Sequence, residues 1–465
     1  MDRSAQLGQS SIPRLLLRFS LPAIVGMMAQ ASYNLIDRVF VGQALGSEGI
    51  AGTTVAFPFM LVVLAFGMLI GFGGTALISI RLGEGKKTEA EQVLGNTAVL
   101  LIVVSVFITA VGLLWLDDIL VTCGASDTVL PYARDYLRII VLGTVFQTIA
   151  FGLNATIRGE GNPRIAMLSM LISVLLNVIL APIFIFWFSW GMQGAALATV
   201  ISQAVTAVWV VSYFLGGTSV LRFHGHTLRL NGDVCRQILT FGSPPFAMQL
   251  AASVLQSILN RQLGVYGGDL AISVMGILYA MFMMVAMPIF GINQGAQPII
   301  GYNYGARRFD RVKKTLEMAV LAATGLAVVG FGVMMLFPGQ VIRLFNRQDQ
   351  SLLALGTHAI RISTLMLPLV GFQIVSASYF QAIGKPKKAM LLMLSRQVLL
   401  LIPAALILPL FFGLDGVWAA LPTSDFGASL LTGICLLVEL RELKANHIPS
   451  VSTPDKVTQA AWNRR

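Results

Sequence analysis

Long apolar runs, most of them close to the length that crosses a bilayer, alternate with short polar turns along nearly the whole chain. A helix needs about 20 apolar residues to span the hydrocarbon. The runs predict twelve membrane helices, over residues 15–42, 51–80, 93–115, 132–156, 164–188, 194–216, 237–264, 272–301, 313–337, 358–382, 388–411 and 416–440. The first two are longer than a bilayer requires. About 28 residues make a rod of about 42 Å, so these helices must tilt, bend or project beyond the lipid. The expected fold class is all-α, a polytopic membrane protein.

One polar position stands out against this pattern. Tyr33-Asn-Leu-Ile-Asp37-Arg38-Val-Phe-Val-Gly42 places a carboxylate near the end of the first span. A charge at mid-membrane costs about 2.5–3.5 kcal/mol on insertion scales. Asp37 is therefore either a functional site or one half of a structural ion pair near the outer interface. Arg38 is adjacent in sequence, and adjacent helical residues do not share a face. It reads as an outer-side anchor. Tyr33 lies one turn before Asp37 and can share its face. Pro22 lies fifteen residues earlier. A proline inside a helix removes one backbone hydrogen bond and weakens the helix there, so a hinge is expected.

The second half of the pattern repeats the first. Arg158-Gly-Glu-Gly-Asn-Pro163-Arg-Ile-Ala-Met167 matches Gln381-Ala-Ile-Gly-Lys-Pro386-Lys-Lys-Ala-Met390 at an offset of 223. Gly83 matches Gly305 and Gly194 matches Gly416 at 222, while Asp37 falls opposite Asn260 at 223. Six spans per repeat give both halves one orientation, related by a pseudo-twofold axis along the membrane normal. Parallel six-helix repeats are a transporter architecture that works by alternating access. The expected division is a terminus over 1–14, a first lobe over 15–216, a linker over 217–236, a second lobe over 237–440 and a tail over 441–465, polar and expected to be disordered from 446.

Composition sharpens the class. The 465 residues are 56% hydrophobic and 11% charged, with a net charge of +11, against about 25% charged in soluble domains. Twenty-three of the 32 Lys and Arg residues fall at the termini and in the even-numbered connections. The positive-inside rule then puts both termini in the cytoplasm. The excess charge is topological, so nucleic acid is not expected as a partner. The first apolar run, from Leu15, is long and continues into Asp37, so no cleavable signal peptide is expected. Cys123, Cys235 and Cys435 lack metal or redox spacing, and His224 with His226 reads as a polar loop. No metal site, cofactor or catalytic residue is expected: HExxH, GxSxG and Walker A sequences are missing. Arg396 and Asp425, on the last two spans, are expected to pair and to serve packing.

Taken jointly, the span pattern, the Tyr33–Gly42 stretch, Leu82-Gly-Glu-Gly85, the Arg158–Pro163 turn and Gln297-Pro298-Ile-Ile-Gly-Tyr-Asn-Tyr-Gly305 resemble the multidrug and toxic compound extrusion (MATE) family, most closely its bacterial DinF- and MepA-like branch. The resemblance covers about residues 12–440. It implies an efflux antiporter in the bacterial cytoplasmic (inner) membrane, not an enzyme. Cationic, amphipathic drugs and dyes would leave in exchange for protons or sodium, through a functional monomer. A lipid or lipid-linked oligosaccharide flippase of the same superfamily is the alternative. The resemblance makes Asp37 the ion-coupling carboxylate, places Asn177 and Thr199 beside it, and makes Pro22 the bend.

There are departures. The family commonly has a second aspartate one turn after the asparagine, where this chain has Ala181. Sodium prefers several hard oxygens, whereas a proton needs one titratable group, so protons are favoured and sodium remains open. A free aspartate titrates near pH 4, and desolvation raises that value, which suits a carboxylate that must load and unload. Tyr279, Met283 and Met287, with Met281 and Met284, suit a drug-facing surface because methionine adapts to varied apolar shapes. Their spacing fits core packing equally well.

Overall fold

The computed structural model describes residues 3–343 and 350–445, except for a few helical side chains, Tyr33 and Arg38 among them. Arg347 and the tail from residue 446 lie outside the described residues, as does the disorder expected of that tail. Among the described residues the chain is helical, without strands. The first half comprises α1 (Arg3–Gln9), α2 (Ile12–Gly83), α3 (Lys87–Leu114), α4 (Leu116–Thr122), α5 (Leu130–Leu142), α6 (Thr144–Gly159), α7 (Pro163–Pro182) and α8 (Gly191–Leu215). The second comprises α9 (Gly232–Gly305), α10 (Phe309–Leu336), α11 (Pro338–Arg343), α12 (Gln350–Ser363), α13 (Leu367–Ala382), α14 (Pro386–Leu394), α15 (Ile402–Phe412) and α16 (Leu414–Ala445).

Among the described residues ten helices are long and apolar enough to cross a membrane, and counting each of two bent pairs as one span brings the number to twelve. The pairs are α5 with α6, bent by 54°, and α12 with α13, bent by 49°. The apolar pattern predicts each as a single span, over 132–156 and 358–382. Their breaks fall at Gly143 and at Thr364–Met366, the latter just before Pro368, which sits in the first turn of α13, where no backbone donor is needed. Prolines also open α7 and α14, where no backbone donor is needed. At α9 the Asn231 side chain accepts from the amides of Asp233, at 3.0 Å, and Val234, a cap for otherwise unmatched donors. The helix therefore starts inside the stretch read as linker.

The two longest helices each hold two spans joined at a sharp turn. The turns are Gly46 (φ 66°) in α2 and Gly268 (φ 64°) in α9. Positive φ is a conformation glycine adopts without steric cost. The same symmetry recurs at Gly85 and Arg307, Gly161 and Gly384, and Gly191 and Gly413, all at positive φ. These offsets are 222 or 223, so the repeat seen in the residues is a repeat of backbone shape.

The halves meet along α2 and α9 by backbone contact. A Cβ on Gly73 would lie 2.0 Å from the Ile238 carbonyl oxygen, and one on Gly242 would lie 1.6 Å from that of Leu69. At the polar end a Cβ on Gly83 would lie 2.0 Å from the Tyr302 oxygen and one on Gly305 would lie 2.2 Å from the Ile80 oxygen. The last two contacts exchange under the 222-residue offset. So do Gly73 against the Gly242 nitrogen and Gly295 against the Ser20 nitrogen. This shared register puts Leu259, rather than Asn260, opposite Asp37. Leu259 is buried in the second-half core, and Asn260 is exposed, accepting from Gln256 at 3.0 Å.

The same end gathers basic residues. Arg311 donates to the carbonyls of Leu7 (3.1 Å) and Ser10 (2.6 Å), Arg308 to that of Gly8 (2.5 Å), and Asn303 to that of Leu7 (3.0 Å). These donors satisfy carbonyls that a helix end leaves unmatched. α1 and the start of α2, through Leu7, Leu15 and Phe19, thereby join the core of the second half. Across the seam Arg81 reaches Gln237 at 3.5 Å, and within the second half Gln381 donates to the Phe241 carbonyl at 2.8 Å. Arg81 and Lys86 also flank Glu84; burial acts upward on its carboxyl, but these cations outweigh it and hold its pKa below the usual value.

Gly242→Val is expected to prevent closure of this end, because the atom in the way is a backbone oxygen that cannot swing aside. Spin labels at Lys87 and Lys314 should report a longer distance than in the unsubstituted protein. An unchanged distance distribution would show that the glycine seam does not hold the halves together.

Candidate functional site

Asp37, Asn177 and Thr199 are all buried, at 8%, 3% and 3% exposure. They come from α2, α7 and α8. The Asn177 amide donates to the Thr199 hydroxyl at 3.0 Å, and that hydroxyl is also 3.2 Å from the Ala195 carbonyl. Val41, one turn after Asp37, belongs to one buried cluster with Ala181, Ala195, Ala196 and Ala198. Ala181 is one turn after Asn177, and Ala195 one turn before Thr199. Packing therefore turns the faces that carry the three polar residues toward the same interior. The small side chains of α7 and α8 let these helices approach closely, as in many membrane bundles.

Ala181 is fully buried in that cluster, so the position that would hold a second carboxylate is filled by a methyl. Asn177 and Thr199 supply one amide and one hydroxyl, both neutral at any working pH. Of these three groups only Asp37 can change its charge by taking up or releasing a proton. The Tyr33 side chain lies outside the described residues. Pro22 sits inside α2 with no break at its position; the departure from helical angles comes at Gly46. Near the proline, a Cβ on Gly26 would lie 2.8 Å from the Met170 sulfur, so α7 packs against α2 between Pro22 and Asp37.

The second-half candidates are less enclosed. Tyr279 is 54% exposed, and Met283 and Met287 are half-buried on the same face of α9. Met281 and Phe282 instead pack against the second-half core.

The Arg158–Pro163 turn carries chemistry that its residues alone do not reveal. Glu160, 1% exposed, accepts from the Tyr213 hydroxyl, from Ser219 Oγ at 2.5 Å and from the Leu221 amide at 3.4 Å. Asn162 donates to the Tyr213 hydroxyl at 3.0 Å, and Arg158 donates to Asn154. The motif thus ties the α6–α7 turn to the end of α8 and to the connection after it. Its repeat uses the opposite sign: Lys385 and Lys388 reach Glu439 at 2.5 and 3.0 Å. Tyr213 and Ser219 lie outside the motif, which left their partnership with Glu160 unreadable.

Arg396 and Asp425 pair as expected, with Nε 2.5 Å from Oδ1. Trp187, at 80% exposure, and the stacked Phe188 and Trp190 stand at the other end from the basic seam, where an interfacial aromatic belt is expected.

A family model described as MatE matches residues 22–183 and 244–407, one match in each half. The chain is 30% identical over 414 residues to a protein named multidrug export protein MepA from Staphylococcus haemolyticus, covering 89% of this chain and 91% of that relative. It is similar in structure to the MATE multidrug transporter DinF-BH solved in complex with a dye ligand, with a TM-score of 0.87 and 40% identity over 94% of this chain and 97% of that one. A multidrug resistance MATE family transporter of the MOP superfamily, solved in an outward-facing conformation, gives a TM-score of 0.89 at 26% identity, covering 95% of this chain and 98% of that one.

Two substitutions test the geometry. Thr199→Val should destabilise the protein by about 1–3 kcal/mol, because the Asn177 amide loses its acceptor inside the bundle. Tyr213→Phe should cost a similar amount by removing a donor from the buried Glu160. Thermal melts of the purified variants check both; melting temperatures equal to that of the parent protein would contradict these contacts.

Proposed function

The chain belongs to the MatE family, and from that premise we propose that it is a secondary antiporter that exports cationic, amphipathic compounds in exchange for protons. It is a multi-pass membrane protein by family and by helix content. The observation that carries the coupling ion is the first-half pocket. It combines the buried carboxylate of Asp37, the neutral pair Asn177 and Thr199, and a methyl at Ala181. A sodium ion would lack the second charge that such a site could supply, whereas a proton needs Asp37 alone.

Support for the substrate class comes from the relatives: one is named for multidrug export and another was solved with a dye bound. Tyr279, Met283 and Met287 offer an adaptable apolar face to such molecules. The distribution of Lys and Arg orients the seam and both termini toward the cytoplasm, in a bacterial inner membrane. The contacts that close that end then suit a state open outward, in which Asp37 takes a proton from outside and the cation leaves. The neutralised carboxyl changes its hydrogen bonds, and α2 yields near Pro22 or Gly46. Differential affinity of the two arrangements for proton and substrate is the coupling. A monomer contains both halves and is sufficient for the cycle.

In proteoliposomes, efflux of a fluorescent cation such as ethidium should follow an imposed proton gradient and ignore a sodium gradient. Asp37→Asn should reduce it to the level of empty liposomes. Ala181→Asp should add a response to sodium. Sodium-driven efflux by the unsubstituted protein would overturn the proton reading, and transport under neither gradient would favour a lipid flippase.

A further inference from the structure

The second half carries a buried polar stripe that the proposed antiport through Asp37 does not use. On α16, Trp418, Asp425, Ser429, Thr432 and Glu439 follow one another at spacings of seven, four, three and seven residues. At about 100° per residue these positions fall on one face. All five are at or below 6% exposure. The Trp418 ring nitrogen and the Ser429 and Thr432 hydroxyls find no protein partner.

α13 completes the stripe. Phe372 lies beside Gly433, so Ser376 and Tyr379, four and seven residues further on, come level with the turn between Thr432 and Glu439. Their hydroxyls are buried and also lack a protein partner, and Tyr379 is close enough to interact electrostatically with Glu439. Five polar groups without partners along one seam are unusual, because buried polar atoms are nearly always satisfied. Where a polar seam connects to the surface, water is the partner available. Lys385 and Lys388, half-buried to exposed, pair with Glu439 at its basic end.

At the other end of the seam is the Arg396–Asp425 pair. Arg396 is the second residue of the wide π-helical segment Ser395–Leu401 between α14 and α15. Such segments interrupt helices most often at functional positions. Under the 222-residue offset this segment falls at the level of Asn177, and Asp425 falls one turn from the counterpart of Thr199. While paired with Asp425, the Arg396 guanidinium also stands over the Phe282 ring at 5.5 Å, so it keeps that contact if the ion pair breaks. Glu439 and Asp425 are fourteen residues apart, a rise of about 21 Å.

We propose that this seam is a hydrated proton path from Glu439 to Asp425, and that Asp425 is a second protonatable carboxylate, loaded when the Arg396 ion pair breaks and the guanidinium stays held over Phe282. The proton arrives as hydronium through the Tyr379, Ser376, Thr432 and Ser429 hydroxyls, and Asp425 becomes the neutral acid. Arg396 is the charged group that faces Asp425. Of the elements packed against α16, α14 contributes Lys385 and Lys388 and α13 contributes Tyr379, all at the Glu439 end. α9 brings Tyr304 to that end; α12 places His358 against Asp415 at the opposite end. α15 contributes no titratable side chain.

The test is an infrared difference titration of the purified full-length protein. A carboxylic acid band that appears on acidification should vanish in Asp425→Asn and persist in Asp37→Asn. In Arg396→Gln it should appear at higher pH. After a rapid pH drop, Thr432→Val and Ser429→Ala should slow the appearance of the Asp425 band severalfold without lowering the melting temperature. These two variants keep the proposal falsifiable if Asp425→Asn fails to fold. An unchanged band in Asp425→Asn, or unchanged rates in the hydroxyl variants, would overturn it. So would Asp425→Asn losing dye binding while keeping its proton titration, which would make the pair a drug-cation site. Failure of the Asp37 reading leaves the Asp425 band in place, so the two outcomes are distinguishable.

Discussion

The structure depends on the contact of glycine against backbone between α2 and α9. In water two helices gain by burying apolar surface, but in lipid the surroundings are already apolar. Close approach then rests on dispersion, and on removing the side chains that would keep the backbones apart. Gly73, Gly242, Gly83 and Gly305 do this on both helices, so the seam is built twice from one repeat. The arginines that hold α1 against the second half sit at the same end. At these glycines no side chain stands between the two backbones, so this part of the joint can separate with little repacking.

Symmetry of backbone is not symmetry of chemistry. Matching turns at Gly46 and Gly268, and matching bends in the fourth and tenth spans, give both halves the same frame. Within it, the first half holds a single carboxylate beside a neutral amide–hydroxyl pair. The second half holds Leu259 at the equivalent of Asp37 and an arginine–aspartate pair one turn from the equivalents of Asn177 and Thr199. The turns between spans diverge in the same way: Glu160 is held by hydroxyls, whereas its repeat uses lysines on Glu439. Duplication supplies two equivalent positions, and sequence divergence places different side chains at them.

Much of this was legible in the residues. Apolar run lengths locate the spans, the matching turns reveal the repeat, and Asp37 is conspicuous because a membrane makes charge costly. Arg396 and Asp425 are readable for the same reason. The rest depends on three-dimensional register. The offset of 222 along α2 and α9, which pairs Asp37 with Leu259, follows from which glycine meets which carbonyl. The π-helical segments at Ile183–Trp187 and Ser395–Leu401 have no residue signature. Glu160 looks like an exposed turn residue until Tyr213 and Ser219, more than fifty positions away, close around it. The unsatisfied hydroxyls of α16 are ordinary helical Ser and Thr in sequence and become informative only when burial is known.

The central claim is that a proton held by Asp37 moves against the exported cation. It is tested most directly by measuring the proton itself, in sodium-free proteoliposomes with a pH-sensitive dye trapped in the lumen. Adding a cationic substrate outside should alkalinise the lumen as protons leave in exchange, and Asp37→Asn should abolish the change. Uptake of substrate with no change in lumenal pH would contradict the account.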